Sequence, residues 1–319
     1  MKVVTFGELM LRLAPEGYLR FVQADKFTVT FGGGEANVAV SLANYGVDAA
    51  FVSKLPNNDI GQAAVNSLRR FGVDTASIVR GGDRIGIYFL EKGASQRPSK
   101  VIYDRAASAI ALAKREDFDW DKIFEGVNWF HFTGISPALS DAAAEITMDA
   151  VKAAKAKEVM TSLMPYVDVL IANEEDSADV FGIKADDTDI SKGALNKEGY
   201  KSVAKKLVDA FGFKYVAITL RGSISANDNK WSAMLYNGKE YFFSKEYMIH
   251  IVDRVGGGDS FGGGLIYGML HFPEDSQKVI EFAVGASCLK HSIEGDYNMV
   301  SVDEVLKLIE GDGSGRVQR

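Results

Sequence analysis

Short apolar runs alternate with segments of helical periodicity along most of the chain. Strands buried on both faces read as continuous apolar runs, so this alternation predicts an α/β fold with a mostly parallel sheet covered by helices on both sides. The predicted buried strands cover residues 2–6, 49–53, 129–133, 167–173 and 215–220.

Two segments have a different pattern. In residues 9–31 and 85–103, aromatic and polar positions alternate as in half-exposed antiparallel strands. They predict a small sheet that projects from the core. No low-complexity linker or repeat divides the chain, so we expect one domain over residues 1–319, with a lid formed by about 9–31 and 85–107.

One stretch interrupts the alternation of strands and helices. Residues 142–164 predict a single long helix, without Gly, Pro or an internal cap. A sheet covered by helices on both sides would normally have a strand within a stretch of this kind.

Composition excludes several function classes. The chain has 319 residues and a formal net charge of −7, which argues against a nucleic-acid or membrane partner. Cys288 is the only cysteine and the four histidines are isolated, so a thiolate or histidine metal site is not expected. The N-terminus shows no signal-peptide pattern and no apolar run is long enough to span a membrane, which predicts a cytoplasmic location.

The main chemical signal is a glycine triplet, Gly256, Gly257 and Gly258, at the start of a predicted helix. Glycines leave backbone N–H groups accessible, and the helix N-terminus adds positive potential, so the loop can hold a phosphate. Asp259 follows directly. We interpret it as a base, kept ionised by this positive environment, for a hydroxyl group aimed at the phosphate. A flexible loop with a helix-capping Asp is the alternative for the triplet alone.

A second glycine cluster, which includes Gly33 and Gly34, precedes another predicted helix. Asn37 lies in its first turn and offers a donor and an acceptor suited to sugar hydroxyls. Considered alone, the cluster also fits an ordinary strand-to-helix turn.

Together, the two clusters resemble the signatures of the PfkB family of carbohydrate kinases, also called the ribokinase family. The N-terminal pattern Gly-Gly-x-x-x-Asn-x-Ala occupies residues 32–39, and the C-terminal pattern Asp-Thr-x-Gly-Ala-Gly-Asp corresponds to residues 253–259. The resemblance implies a ribokinase-like three-layer α/β/α core with a β-sheet lid. It also implies transfer of the ATP γ-phosphoryl group to a sugar hydroxyl, with the final Asp as base and the glycine amides as anion hole.

Departures from the general pattern point to a sub-branch. Arg254 and Gly257 replace the usual Thr and Ala, and residues 54–58, 84–89 and 103–109 look like those of 2-keto-3-deoxygluconate kinases. Arg105 supplies a planar fork that can bind a carboxylate through two hydrogen bonds, which a neutral hexose does not need. A salt bridge at the lid is the alternative role for this arginine.

The resemblance implies contacts for each substrate. The expected sugar-binding residues are Gly33, Gly34, Asn37, Tyr88, Tyr103, Arg105, Asp259 and Asp296. The expected nucleotide-binding residues are Asn173, Thr219, Arg221, Gly222, Ser223, Gly256, Gly258 and Ser287. For Ser287 the expected contact is with adenine, and packing against a neighbouring helix is the alternative. For Mg²⁺, Glu175 and Asp176 are the candidates, and the sequence does not decide between them.

Other functions remain open on this evidence. A fructokinase or another keto-sugar kinase would share the fold and the phosphate chemistry. A catalytically silent nucleotide or sugar sensor is a different class, and Asp259 argues against it. Apolar residues on the lid strands predict that two lids pair in a homo-oligomer.

The uninterrupted stretch at 142–164 also departs from the family. Related kinases have a buried strand there, followed by an Asp-x-Asn-x-Arg loop whose Arg reaches toward ATP and the sugar acid. On the order of 15 residues are missing near Ala156. The favoured hypothesis is that the sequence omits them, which a Cα–Cα step far beyond about 3.8 Å between Ala153 and Val159 would reveal. Otherwise the deletion is genuine and impairs activity.

Overall fold

A computed structural model describes residues 1–154, 164–173, 183 and 197–311. Its strands are β1 (Lys2–Phe6), β2 (Met10–Ala14), β3 (Thr28–Gly32), β4 (Asp48–Leu55), β5 (Ile78–Arg80), β6 (Gly86–Glu91), β7 (Lys100–Asp104), β8 (Val127–His131), β9 (Val169–Asn173), β10 (Tyr215–Ser223), β11 (Asp228–Tyr236), β12 (Tyr241–Phe243) and β13 (Tyr247–His250). Its α-helices are α1 (Gly34–Asn44), α2 (Asp59–Arg69), α3 (Trp120–Ile123), α4 (Ile135–Ala138), α5 (Asp141–Ala154), α6 (Lys197–Phe211), α7 (Gly257–His271), α8 (Ser276–Lys290) and α9 (Val302–Glu310).

The core contains two sheets in the part of the chain that the structure describes. The first has the order β5-β4-β1-β8 and is entirely parallel. The second has β9 parallel to β10, and antiparallel strands β11, β12 and β13 beyond them. The α/β class is confirmed, and each predicted buried strand corresponds to an observed one.

The facing edges of these sheets are β8 and β9. Within the described ranges, β8 pairs only with β1, and β9 pairs only with β10. The single, mostly parallel sheet that the pattern predicts is therefore divided at this point among the described residues. We call the space between β8 and β9 the seam.

The third sheet is the lid, with the order β3-β2-β6-β7. Its strands lie within the two segments that the alternating pattern selects. The antiparallel expectation is right for β2 with β3 and for β6 with β7, but β2 and β6 run parallel. Alternation reports that one face is exposed, and it carries no information on strand direction.

Helices α1, α7 and α8 pack closely beneath the site. A Cβ on Gly264 of α7 would stand 3.0 Å from Ala283 Cα of α8, and one on Gly268 would stand 3.1 Å from Val279 Cα. Glycine at these two positions lets the helices approach backbone to backbone. Large buried side chains such as Phe261 and Phe282 fill the space around this contact.

The predicted long helix is wrong at its far end. Helix α5 spans Asp141–Ala154, and Met164 belongs to a 3₁₀ turn, Met164–Tyr166. The Cα–Cα step proposed as a test falls on residues 155–159, which lie outside the described residues. Among the described helices, none is long and apolar enough to cross a membrane.

Candidate active site

The glycine triplet forms the start of α7. Gly256 is the N-cap and has a left-handed φ of 82°, and a Cβ on it would stand 2.0 Å from the carbonyl oxygen of Asp296. Glycine is therefore required there by both conformation and space. Gly257 is buried and Gly258 is exposed, so the first turn of the helix opens toward solvent at Gly258. This geometry suits an anion at a helix N-terminus.

Asp259 lies in this first turn and contacts α1. Asn37 Nδ2 donates a hydrogen bond of 2.7 Å to Asp259 Oδ2. Desolvation raises the pKa of Asp259 to about 7, the Asn37 hydrogen bond opposes this rise, and the charges of Asp296 and Glu35 add to it. The prediction that a positive environment keeps Asp259 ionised is therefore wrong: desolvation outweighs it, and the pKa lies near neutrality, which suits a base.

The N-terminal glycine cluster holds α1 against this carboxylate. Gly33 is the N-cap of α1, and a Cβ on it would stand 2.0 Å from the carbonyl oxygen of Glu8. At Gly34 the nearest atom to a Cβ would be Asp259 Oδ1, at 3.6 Å. Asn37 also accepts a hydrogen bond from Gly33 N through Oδ1. The structure thus brings the two glycine clusters, far apart in sequence, to one place.

A buried charge network lies behind the site and contains two of the predicted sugar-binding residues, Tyr88 and Asp296, together with Arg12, which sequence reasoning missed. Arg12 donates to Asp253 Oδ2 and to Asp296 Oδ1, each at 2.6 Å, and the Tyr88 hydroxyl donates to Asp296. Burial raises the pKa of Asp296, and Arg12 opposes that rise. The sequence could have indicated this role, because Arg12 occupies one of the buried positions of the alternating strand β2, where an apolar residue is usual.

Arg105 is held by Glu8 at the edge of the lid. Its Nε donates 2.7 Å to Glu8 Oε2, Nη2 also contacts that carboxylate, and Ser108 donates to Glu8 Oε1. The Arg105 guanidinium lies 5.4 Å from the centre of the half-exposed Tyr103 ring. Among the described residues, Nη1 has no hydrogen-bond partner. The alternative role of Arg105, a salt bridge, is present, and one edge of the fork stays free.

The predicted nucleotide residues fall into separate groups. Asn173 and Thr219 line the same cavity as Asp259. Three other predicted residues lie further along β10 and are not among the residues that line this cavity: Arg221, Gly222 and Ser223. Ser287 lies elsewhere than predicted. It is fully buried and donates 2.7 Å to Gly257 O, so its side chain supports the glycine loop and has no surface for adenine. Glu175 and Asp176 lie outside the described residues.

The cavity that joins these groups is large. It has a volume of about 1400 Å³ and extends from Arg105 and Asp259 to the seam, where both β8 and β9 line it. Part of this space is the gap between β8 and β9, and the part beside Gly258, Asp259 and Thr219 is the candidate substrate site. No cluster of three or more potential metal ligands occurs among the residues that the structure describes.

Comparison with known proteins gives consistent matches. The family model described as pfkB family carbohydrate kinase matches residues 1–302. The chain is 30% identical to a 2-dehydro-3-deoxygalactonokinase of Haloferax volcanii, over 98% of both proteins. It is 26% identical to a 2-dehydro-3-deoxygluconokinase of Thermoproteus tenax, over 97% of this chain and 95% of that protein.

A solved structure agrees with these matches. The crystal structure of 2-dehydro-3-deoxygluconokinase from Thermotoga maritima superposes with a TM-score of 0.92 at 54% identity, covering 98% of both chains. The ribokinase-like fold that the motifs imply is thereby confirmed.

Proposed function

The chain belongs to the pfkB family of carbohydrate kinases, and from this premise we propose that it transfers a phosphoryl group from ATP to the 6-hydroxyl of 2-keto-3-deoxygluconate. The product is 2-keto-3-deoxy-6-phosphogluconate. This sugar acid is the 2-dehydro-3-deoxygluconate in the names of the Thermotoga and Thermoproteus relatives.

Asp259 and the glycine loop account for the transfer step. Asp259, with a pKa of about 7, accepts the proton of the attacking hydroxyl while the oxygen bonds to phosphorus and ADP leaves. The amides at the start of α7 stabilise the charge on the transferring group. Asn37 holds the carboxylate in place.

The observation that carries the substrate assignment is the position of Arg105. Its guanidinium lines the same cavity as Asp259, and the edge that Glu8 leaves free can bind a carboxylate. A sugar with its carboxylate at one end and its reactive hydroxyl at the other can lie between the two residues. A neutral hexose would leave that edge unpaired.

The proposed position of ATP is the part of the cavity lined by Gly258, Asn173 and Thr219. Mg²⁺ would offset phosphate charge during transfer, with Glu175 or Asp176 as the candidate ligands. Since those two residues lie outside the described ranges, we assign no step to the metal.

A coupled kinase assay tests this proposal. We expect ATP-dependent phosphorylation of 2-keto-3-deoxygluconate, with weaker activity on fructose. The matched second substrate is 2-keto-3-deoxygalactonate, the 4-epimer of 2-keto-3-deoxygluconate, because the Haloferax relative is named for that compound. Higher kcat/KM on fructose than on either acid would contradict the assignment. Absence of any sugar-dependent ATP consumption would favour a silent binding protein.

We also propose that two lids pair. All five residues of β7 are exposed, and Val29, Ile102 and Tyr103 are 56%, 44% and 58% exposed. An exposed apolar strand face of this kind is typically covered in an assembly. Sedimentation should show a dimer or larger species at micromolar concentration, and a monomer there would contradict the proposal.

A further inference from the structure

Lys290 is a fully buried lysine at the end of α8. Taking an ammonium group out of water is unfavourable unless nearby groups offset the loss of hydration. The position of this lysine therefore requires an explanation beyond packing.

The ammonium group has few direct partners. Lys290 Nζ donates 3.1 Å to the carbonyl oxygen of Ile293, and no carboxylate of the described residues lies within ion-pair distance. Burial lowers the pKa of Lys290, whereas the charges of Asp253 and Asp296 raise it. The acidic groups of the site thus offset only part of the unfavourable effect of burial on this charge.

Lys290 also touches the anion loop from behind. A Cβ on Gly256 would stand 3.2 Å from Lys290 Cε, and one on Gly257 would stand 2.6 Å from the ring of His291. Together with Ser287, whose hydroxyl donates to Gly257 O, the last turn of α8 forms the floor of the loop.

We infer that Lys290 is a positioning residue for phosphoryl transfer, a fixed cation behind Gly256 that makes the loop favourable for the γ-phosphoryl group and for ionised Asp259. The inference rests on the proposed kinase function. It differs from a purely structural role, in which the ammonium group would only stabilise the C-terminus of α8 through its hydrogen bond and charge.

The charged neighbours of Asp259 determine how this can be tested. Glu35 of α1 and Asp296 raise the pKa of Asp259, while Asn37 of α1 and Lys290 lower it. Removing the Lys290 charge should therefore shift the acidic limb of kcat/KM to higher pH. Loss of packing alone would not move that limb.

The test compares Lys290→Met, which keeps the length of the side chain, with Lys278→Met, a half-buried lysine in the first turn of the same helix whose Nζ lies 4.3 Å from the centre of the Phe272 ring. Calorimetry with the ATP analogue AMP-PNP needs no sugar, so its result is independent of the substrate assignment. We expect Lys290→Met to weaken AMP-PNP binding about 10-fold, and ADP binding much less, because the cation lies directly behind the loop proposed to hold the γ-phosphate. Lys278→Met should leave both unchanged.

Kinetics give the second measurement. We expect Lys290→Met to lower kcat about 10- to 100-fold and to move the acidic limb upward. An unchanged limb with equal losses for AMP-PNP and ADP would overturn the inference. If Lys290→Met does not fold, Lys290→Gln, which can still donate to Ile293 O, takes its place. Failure of both to fold would assign Lys290 to structure alone and would also overturn the inference.

Discussion

The residues around Asp259 and the seam between β8 and β9 line one cavity but differ in how their polar groups are satisfied. Asp259 is bound by Asn37, and the buried carboxylates behind it are bound by Arg12. At the seam, by contrast, two strand edges face each other without a strand between them in the described residues. His131 Nε2 on β8 is also buried there, and it has no hydrogen-bond partner within the described ranges.

The proposed reaction has two requirements, a positioned base with its anion loop and a nucleotide placed next to them, and they depend on different parts of the molecule. The proposed base and the proposed anion loop lie on α7, which packs directly on α1, with Gly263 close to Ser41. The nucleotide-side residues Asn173 and Thr219 belong to the second sheet. Their distance from Asp259 depends on how the sheets meet at the seam. The chemistry is therefore preorganised, while the placement of ATP relative to it is less constrained.

Alignment lengths bear on the seam. The match to the Haloferax relative extends over 337 positions, 18 more than the 319 residues of this chain. At least 18 aligned positions thus have no residue here. The number is close to the roughly 15 residues that a strand with its loop would need.

The largest expected effect tests the preorganised side. Asp259→Asn removes the base but keeps its shape and the Asn37 contact, so turnover should fall by roughly two to four orders of magnitude. Steady-state kinetics with saturating ATP and sugar acid measure it, and circular dichroism checks that the fold is retained.

The matched control is Asp275→Asn, a change at the exposed N-cap of α8 far from the loop. It should alter turnover less than about twofold, since capping affects local stability only. Near-normal turnover in Asp259→Asn would remove Asp259 from the mechanism.

Sequence reasoning agrees with the structure where a residue type signals its own burial or backbone conformation. The sequence alone shows three such features: glycines at positions of close backbone approach, an Asp at the start of a helix, and the apolar runs of buried strands. Arg12, Glu8 and Lys290 were missed because their roles come from three-dimensional neighbours. The pKa of Asp259 was misjudged for the same reason: sequence shows the helix N-terminus but not the desolvation around it.

The second prediction acts on the seam. We consider an insertion of about 15 residues between Ala156 and Lys157, made of an apolar β-branched strand followed by Asp-x-Asn-x-Arg. The inserted strand should pair with β8 and β9 and thereby fix the position of the second sheet relative to the first. We expect kcat to rise about 10- to 100-fold and the melting temperature to rise by about 5 °C or more.

An insertion of equal length made of Gly and Ser is the control, because it lengthens the chain without forming a strand. It should reproduce neither gain. Equal behaviour of the two insertions, or a loss of activity with the strand insertion, would show that the seam is not a strand position.

Arg105→Ala sharpens the comparison at the sugar end of the cavity. We expect KM for the sugar acid to rise about 10-fold or more, with little change for fructose, since only the acid has a carboxylate for the free edge of the guanidinium. The control is Arg84→Ala, which removes the exposed pair with Asp104 and should change neither KM. Equal losses on both sugars would make Arg105 a structural part of the lid.

The smallest expected effect is on stability, and it follows from the raised pKa of Asp259. In the folded protein this pKa is about 7, against 3.8 as the ordinary value, so the native state holds a proton that the unfolded chain releases between these pH values. Stability from this group is complete below about pH 4 and is lost as the pH rises through 7.

Asp259→Asn cannot ionise and escapes that loss. Its melting temperature should therefore match the unsubstituted protein near pH 3.5 and exceed it by about 3 °C or more at pH 8. Differential scanning calorimetry over this range measures the difference. A constant difference across the range would mean that Asp259 is ionised throughout and that desolvation does not govern the site.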